Sequence, residues 1–313
     1  MIILLLIASS SSCFSQGKNA NSSGRINGIF YEMSVRTGDA PLVIIVPGFT
    51  QYNMSQEFIK LKKKLEEFGW SFLTLNPPEH GHDSMLSEGN YSWGENEPSL
   101  FLHVLDTLGV WKQRNIHLLG FSIGAKIVLE MSRLLQSQPE KHIQSVVSVA
   151  SPTATGDINL QLSGDLRHPF ECFSRPIQER MSLLRLFHLS FVDLPLSQLN
   201  LSRSPIKHID EILSPILFIH STDDWLIRSY QSLQLYNEAT NSPHRAIRYI
   251  PTYLHAESML TEDSVEAAKV FYRLLFEWII SFSDSPWTGN TIHHVQKDRT
   301  STDPSDITVM PYT

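Results

Sequence analysis

The sequence has few cysteines, no excess of basic charge and no long hydrophobic run, and each absence excludes a class of protein. Its 313 residues include only two cysteines, Cys13 and Cys172, too few for a disulfide framework or a cysteine-based zinc site. Lysine and arginine number 25 against 32 acidic residues, and the net charge of −7 argues against a broad nucleic-acid-binding surface. With 42% hydrophobic and 18% charged residues, the composition is that of a globular protein.

The first 16 residues predict an export signal. Residues 1–8 are almost wholly apolar, and this run is too short to cross a bilayer but suits the central region of a signal peptide. The serines that follow are small residues of the kind that a signal peptidase accepts, although no lysine or arginine precedes the run. We therefore expect a secreted or periplasmic protein without a membrane span, and a cytoplasmic one if the segment is not a signal.

Between residues 28 and 282, short apolar runs alternate with helical patterns. This alternation predicts an α/β domain with a mostly parallel sheet that is flanked by helices on both faces. The aliphatic run 42–46, for example, is typical of a buried parallel strand. The predicted strands are 29–35, 42–46, 71–75, 116–119, 143–149, 215–220 and 246–250, and the predicted helices are 58–68, 99–108, 125–135, 228–239 and 262–280.

Three segments depart from this alternation. Residues 17–27 are small and polar and are expected to form a flexible lead-in, and the polar residues 283–313 are expected to form a disordered tail. Residues 155–208 contain amphipathic stretches rich in leucine and phenylalanine and interrupted by prolines. This composition predicts a mostly helical cap that is inserted between two strands of the sheet.

The most informative motif is Gly120-Phe121-Ser122-Ile123-Gly124, which matches the pattern G-x-S-x-G. A predicted strand precedes the motif and a predicted helix follows it. In that context the serine is forced out of the strand, so that its Oγ is exposed at the edge of the sheet, and the glycines let the strand and the helix approach closely. Ser122 is therefore the candidate nucleophile.

A serine hydroxyl becomes a good nucleophile when a histidine removes its proton and a carboxylate orients that histidine. The carboxylate should follow a later strand, because the carboxyl ends of parallel strands meet at one edge of a sheet. Asp224 follows the predicted strand 215–220 and is the candidate acid. Its neighbour Asp223 is the alternative, and Asp157 is a more remote one.

The candidate histidine and oxyanion-binding groups also follow predicted strands. His255 lies after the run 246–250 and before the last predicted helix, so we expect it at the same edge of the sheet as the serine.

An oxyanion hole needs two N–H donors aimed at the developing charge. The backbone N–H of Ile123, at the start of a helix, is one candidate. The N–H of Phe49, after the turn at Gly48, is the other.

Together these residues resemble the α/β-hydrolase family over residues 42–280. Ser122, Asp224 and His255 match the family's catalytic triad in order and context. The segment 47–49 is similar to the family's His-Gly-x oxyanion loop, with proline in place of the histidine.

Two further segments of the chain resemble motifs of the family but carry substitutions in them. Residues 76–83 resemble its Asp-x-x-Gly-His-Gly-x-Ser loop, with Asn76, Glu79 and Asp83 in place of the aspartate, the first glycine and the serine. His220-Ser221 stands where the family often has His-Gly. These substitutions do not affect the triad positions, and because of them the sequence is not assigned to a subfamily.

The resemblance implies a serine hydrolase that works through an acyl-enzyme on Ser122. The apolar composition of the predicted cap favours carboxylic ester hydrolysis, with a small-molecule ester or lipid-like acyl substrate as the partner. The alternatives are an exported lipase or aminopeptidase, an acyltransferase, and a non-catalytic hydrolase-like binding protein. No cofactor or metal is expected, because the spacing of His80, His82 and Asp83 is a weak match to a metal site.

Overall fold

Eight strands form one sheet in the computed structural model, which describes residues 20–36, 38–48, 55–76, 96–113, 115–153, 204–224, 226–260 and 265–283. The strands are β1 (Ala20–Ile26), β2 (Ile29–Val35), β3 (Leu42–Val46), β4 (Ser71–Asn76), β5 (Ile116–Phe121), β6 (Ser145–Val149), β7 (Ile216–Ser221) and β8 (Arg245–Ile250). Their order across the sheet is β1-β2-β4-β3-β5-β6-β7-β8. β2 runs antiparallel to β1 and β4, and the other neighbouring pairs are parallel.

Helices in the described part of the chain cover both faces of this sheet. They are α1 (Gln56–Glu67), α2 (Glu97–Leu108), α3 (Ile123–Leu135), α4 (Tyr230–Glu238) and α5 (Val265–Ser281). Side chains alternate between the two faces along a strand, so the fully buried β3 contributes to both halves of the core. Its residues Leu42, Ile44 and Val46 belong to the cluster that includes α2, α3 and α4, and Val43 and Ile45 belong to the cluster with α1 and α5.

The predicted α/β architecture is confirmed, with a mostly parallel sheet flanked by helices. The predicted strands and helices of the domain are present in the described residues, and their ends differ from the prediction by a few residues at most. For example, α2 begins at Glu97, two residues before the predicted start at Ser99, with a proline in its first turn. Proline suits that position because the first helical N–H groups have no acceptor within the helix.

The expectation of a flexible lead-in is wrong for residues 20–26, which form β1 and pair with β2 along its whole length. Asn27 and Gly28 form the connecting turn with φ values of 49° and 82°. Positive φ at both turn residues is typical of the two-residue hairpin that Asn-Gly favours. Because β1 has only one neighbouring strand in the described sheet, it needs few apolar residues, and its polar composition concealed it.

Several predicted segments lie outside the described residues. They are the export signal 1–16, the first part of the lead-in at 17–19, the cap residues 155–203 and the tail from 284 onward. One short 3-10 helix, Pro205–Lys207, lies at the described end of the predicted cap, and a second, Ile209–Glu211, follows it and leads towards β7. Within the described ranges, no helix combines the length and the apolar character needed to cross a membrane.

Two glycines allow the backbones of β3, β5 and α3 to approach closely. A Cβ atom at Gly120 would lie 2.6 Å from the Cα of Ala125, and a Cβ atom at Gly124 would lie 2.9 Å from the carbonyl carbon of Val46. Both obstacles are backbone atoms, which cannot rotate away as the end of a side chain can. The packing of α3 on the sheet therefore requires glycine at both positions.

We expect Gly120→Ala to lower the free energy of unfolding by more than about 3 kcal/mol, because the added methyl group overlaps the backbone of α3. Gly109→Ala is the matched control, since a Cβ there would meet nothing within 4 Å. Its φ of 67° should still cost about 1 kcal/mol. Urea unfolding monitored by circular dichroism measures both, and equal losses would contradict the close-packing argument.

Candidate active site

The carboxyl ends of four parallel strands carry the segments that form the site. Gly48 follows β3 and Ser122 follows β5 directly. Asp224 and His255 lie in the loops after β7 and β8. The structure thus brings the three predicted triad residues, and Gly48 of the predicted oxyanion loop, to the edge of the sheet where ligands bind in folds of this class.

Ser122 occupies a strained turn between β5 and α3. Its φ of 54° and ψ of −122° lie outside the regions that L-residues ordinarily adopt. Two backbone hydrogen bonds hold the turn: the Ser122 N–H donates to the Val149 carbonyl at 2.8 Å, and the Ala125 N–H donates to the Ser122 carbonyl at 2.9 Å. The predicted strand–turn–helix context is therefore present, and this conformation turns the Ser122 side chain towards the histidine.

His255 contacts both of its predicted partners. Its Nε2 lies 2.8 Å from Ser122 Oγ, and its Nδ1 lies 2.7 Å from Asp224 Oδ2. An ionised carboxylate only accepts hydrogen bonds, so Nδ1 carries the proton and donates it to Asp224. Nε2 of the neutral ring is then the acceptor for the serine hydroxyl, which is the tautomer that a general base for Ser122 needs.

Asp224 is almost fully buried, yet its carboxylate is satisfied on both oxygens. Oδ1 accepts the backbone N–H groups of Leu226 at 2.9 Å and Ile227 at 3.0 Å, and Oδ2 accepts from His255. Burial alone would raise the pKa of Asp224, but the imidazoles of His255 and His220 outweigh it and hold that pKa below its ordinary value. Asp224 is therefore ionised at neutral pH.

The two adjacent aspartates have different partners. Asp223 Oδ2 accepts a hydrogen bond from Thr222 Oγ1 at 2.9 Å, and the Asp223 backbone N–H donates to the Thr252 carbonyl at 3.1 Å. The contact with His255 is made by Asp224, whose carboxylate points into the site. The more remote candidate acid, Asp157, lies outside the described residues.

A second buried histidine supports the aspartate, a role that no sequence pattern indicated. His220, at the end of β7, donates from Nε2 to the Ile227 carbonyl at 2.8 Å, and its Nδ1 lies 2.6 Å from Ser232 Oγ. The same Nε2 is 3.4 Å from Asp224 Oδ2. His220 therefore fixes the loop that presents Asp224 and places a hydrogen-bearing nitrogen beside its carboxylate.

The loops that carry the aspartate and the histidine are bonded to each other. The Thr222 N–H donates to the Ile250 carbonyl at 3.0 Å, and Ser221 Oγ donates to the Leu254 carbonyl. Ala256, directly after the histidine, has a φ of 43°, an uncommon value for a residue other than glycine. These contacts hold His255 in register with Asp224.

One of the two predicted oxyanion donors is described. Ile123 is the first residue of α3, so its N–H is among the N-terminal helix N–H groups that have no acceptor within the helix. Phe49, the second, lies outside the described residues. Its neighbour Gly48 is described, and a Cβ atom on Gly48 would lie 3.1 Å from Ser122 Cβ, so the loop after β3 passes directly beside the candidate nucleophile.

Sequence reasoning also missed Glu257, a carboxyl group near this loop. Glu257 is only 5% exposed and lies in the short 3-10 helix Ala256–Leu260 that follows the histidine. Its Oε2 would be 3.3 Å from a Cβ atom on Gly48. Burial raises the pKa of Glu257 to about 7.

Within the described part of the chain, no group of histidine, cysteine, aspartate or glutamate side chains is arranged to hold a metal ion. The candidate metal ligands His80, His82 and Asp83 lie outside that part. The expectation of a site without a metal therefore stays a prediction.

Comparison with known proteins supports the fold. The model of the "alpha/beta hydrolase fold" family matches residues 41–171. Among solved structures, alpha/beta hydrolase domain-containing protein 10 from mouse is 16% identical with a TM-score of 0.58, and the match covers 83% of this chain and 99% of that one. No curated protein matches the sequence.

Two archaeal enzymes are similar in structure as well. An esterase from Pyrococcus furiosus is 16% identical with a TM-score of 0.58, over 84% of this chain and 91% of the esterase. A monoacylglycerol lipase from Paleococcus ferrophilus is 18% identical with a TM-score of 0.55, over 82% of this chain and 99% of the lipase.

The strand order, the turn at Ser122 and these matches agree on one fold. The chain has the α/β-hydrolase fold, and the family resemblance seen in the sequence is confirmed. At identities this low the solved structures establish the fold, and the reaction has to be argued from the site.

Proposed function

We propose that the protein is a serine hydrolase that cleaves carboxylic esters through an acyl-enzyme on Ser122. The observation that carries this proposal is the continuous hydrogen-bonded chain from Ser122 Oγ through His255 to Asp224, with distances of 2.8 Å and 2.7 Å. The chain begins at a strained serine and ends at a buried, ionised carboxylate. This is the arrangement that activates a hydroxyl group as a nucleophile.

In the first half of the proposed reaction, Ser122 Oγ attacks the ester carbonyl carbon while Nε2 of His255 takes the hydroxyl proton. Asp224 stabilises the imidazolium that forms, through the bond it already makes to Nδ1. The tetrahedral intermediate collapses when His255 returns the proton to the leaving alcohol, which leaves the acyl group on Ser122. Water, deprotonated by His255, then attacks the acyl carbon and regenerates the free serine.

The backbone N–H groups of Ile123 and Phe49 are the proposed oxyanion donors. Ile123 is suited to this role because the positive end of the α3 dipole adds to its N–H. Gly48, the residue before Phe49, lies beside Ser122. Such preorganised donors stabilise the charge that develops in the transition state more than the neutral carbonyl of the substrate.

The choice of an ester rests on two supports. The structurally similar archaeal proteins include an esterase and a monoacylglycerol lipase, and the segment predicted to form the cap is rich in leucine and phenylalanine. Hydrolysis of a peptide by an aminopeptidase and acyl transfer use the same triad, so they stay alternatives within the enzyme class. The strained Ser122 turn lowers stability, and a non-catalytic binding protein would gain nothing from it, so the strain argues against that alternative.

The first test is covalent labelling. A fluorophosphonate probe should label the folded wild-type protein once, at Ser122, and Ser122→Ala should remove the label without changing the circular dichroism spectrum. Ser151→Ala is the matched control, because Ser151 is also buried and follows β6 at the same edge of the sheet. It should label like the wild type, and an unlabelled, folded wild-type protein would contradict the nucleophile assignment.

The second test compares the two adjacent aspartates. Asp224→Asn should lower kcat by about three to four orders of magnitude, because the amide no longer enforces the tautomer of His255 that accepts the serine proton. Asp223→Asn should change kcat by about twofold or less, since Asp223 bonds to Thr222 and Thr252 instead. Steady-state kinetics on one ester substrate measures both, and a larger loss for Asp223→Asn would reverse the assignment.

The third test addresses the substrate. The value of kcat/KM for p-nitrophenyl esters should rise as the acyl chain lengthens, because each buried methylene contributes about 0.8 kcal/mol of binding free energy. Background rates across the whole series would argue against a simple esterase. Faster cleavage of aminoacyl p-nitroanilides than of every ester would favour the aminopeptidase alternative.

A further inference from the structure

Glu257 is a buried carboxyl group that the proposed hydrolytic mechanism does not use. Its side chain is only 5% exposed, and among the described residues its Oε2 has no hydrogen-bond partner. A Cβ atom placed on Gly48 would lie 3.3 Å from Glu257 Oε2 and 3.1 Å from Ser122 Cβ. Glu257 therefore packs against the place where the loop after β3 meets the turn of the nucleophile.

The charges around Glu257 come from three other segments. His255 favours the ionised form of Glu257, whereas Asp224 and Glu57 of α1 disfavour it. The neighbouring helix α5 contributes the apolar residues Ala267 and Phe271 to the hydrophobic cluster that includes Ala256. Burial is the largest influence and raises the pKa of Glu257 from 4.5 to about 7, so this group changes charge near neutral pH.

An ionised Glu257 would oppose the proposed reaction at the oxyanion. A negative charge beside Gly48 would repel the oxyanion that the adjacent N–H groups are proposed to bind. A protonated Glu257 fills the same space without this repulsion.

We infer that Glu257 is a positioning residue of the hydrolase site, whose uncharged carboxyl supports the oxyanion loop at Gly48 and whose ionisation lowers the rate. This inference rests on the proposed function. It implies that Glu257 lowers the rate increasingly as the pH rises through about 7, because a raised carboxyl pKa means that the proton is lost there instead of near 4.5.

The test is the pH profile of Glu257→Gln, which replaces the carboxyl group with an uncharged group of nearly the same shape. The general base must be the neutral imidazole, whose population grows with pH in both proteins, so the measured quantity is the ratio of their kcat/KM values. The kcat/KM of Glu257→Gln divided by that of wild type should rise on the order of tenfold between pH 6 and pH 8.5, which corresponds to about one pKa unit of interaction. Glu57→Gln is the control, because it removes the neighbouring, more exposed carboxylate, and its ratio to wild type should stay nearly constant.

Two results would overturn the inference. One is a ratio of Glu257→Gln to wild-type kcat/KM that does not change between pH 6 and pH 8.5. The other is a large loss of kcat/KM at pH 6 in a folded Glu257→Gln protein, which would mean that the negative charge is needed. Fluorophosphonate labelling distinguishes these two results from a failure of the proposed function. If the proposed function were wrong, the wild-type protein itself would not be labelled.

An infrared titration of the wild-type protein keeps the inference testable if Glu257→Gln does not fold. The carbonyl stretch of a protonated carboxyl group should be present at pH 5.5 and disappear by pH 8.5. The absence of such a band at pH 5.5 would show that Glu257 is already ionised and would overturn the inference, whatever the protein catalyses.

Discussion

The close backbone contact between β3, β5 and the start of α3 is the constraint on which the site depends. Glycines at positions 120 and 124 leave no side chain between these elements, so α3 begins directly at the end of β5. The turn between them forces Ser122 into a strained conformation, and the hydrogen bond to Val149 of the next strand helps to hold it there. Strain of this kind persists where the surrounding structure determines it, and here it presents the hydroxyl to His255.

Two buried carboxyl groups of the site have pKa values that are shifted in opposite directions. Asp224 has hydrogen-bond donors on both oxygens, from backbone N–H groups and from His255, and it is ionised despite its burial. Glu257 is buried to a similar degree, but its Oε2 has no donor within the described chain, and its pKa rises to about 7. Since the two groups are similarly buried, the charge of His255 and the hydrogen bonds of the two imidazoles keep Asp224 ionised, whereas Glu257 changes charge near neutral pH.

Much of the architecture could be predicted from short-range patterns. The run Leu42–Val46 is apolar throughout, which is typical of a buried parallel strand, and the G-x-S-x-G motif marked the turn at Ser122. The edge strand β1 could not be found in this way, because its residues are mostly polar and it pairs with only one neighbour in the described sheet. Its one local signal was the Asn27-Gly28 turn, which is typical of a hairpin.

The sequence by itself determined the order of the elements, the glycines that permit the turn, and the chain order of Ser122, Asp224 and His255. Only the tertiary structure distinguished Asp224 from Asp223, since adjacent side chains point in different directions and the N–H groups of Leu226 and Ile227 select one carboxylate. It alone placed His220 beside that carboxylate and buried Glu257 near Gly48. Asp224 and His255, like Glu257 and Gly48, are far apart in the chain. The short-range bonds around Asp224 form only in the loop conformation that the fold imposes, so local sequence patterns do not record them.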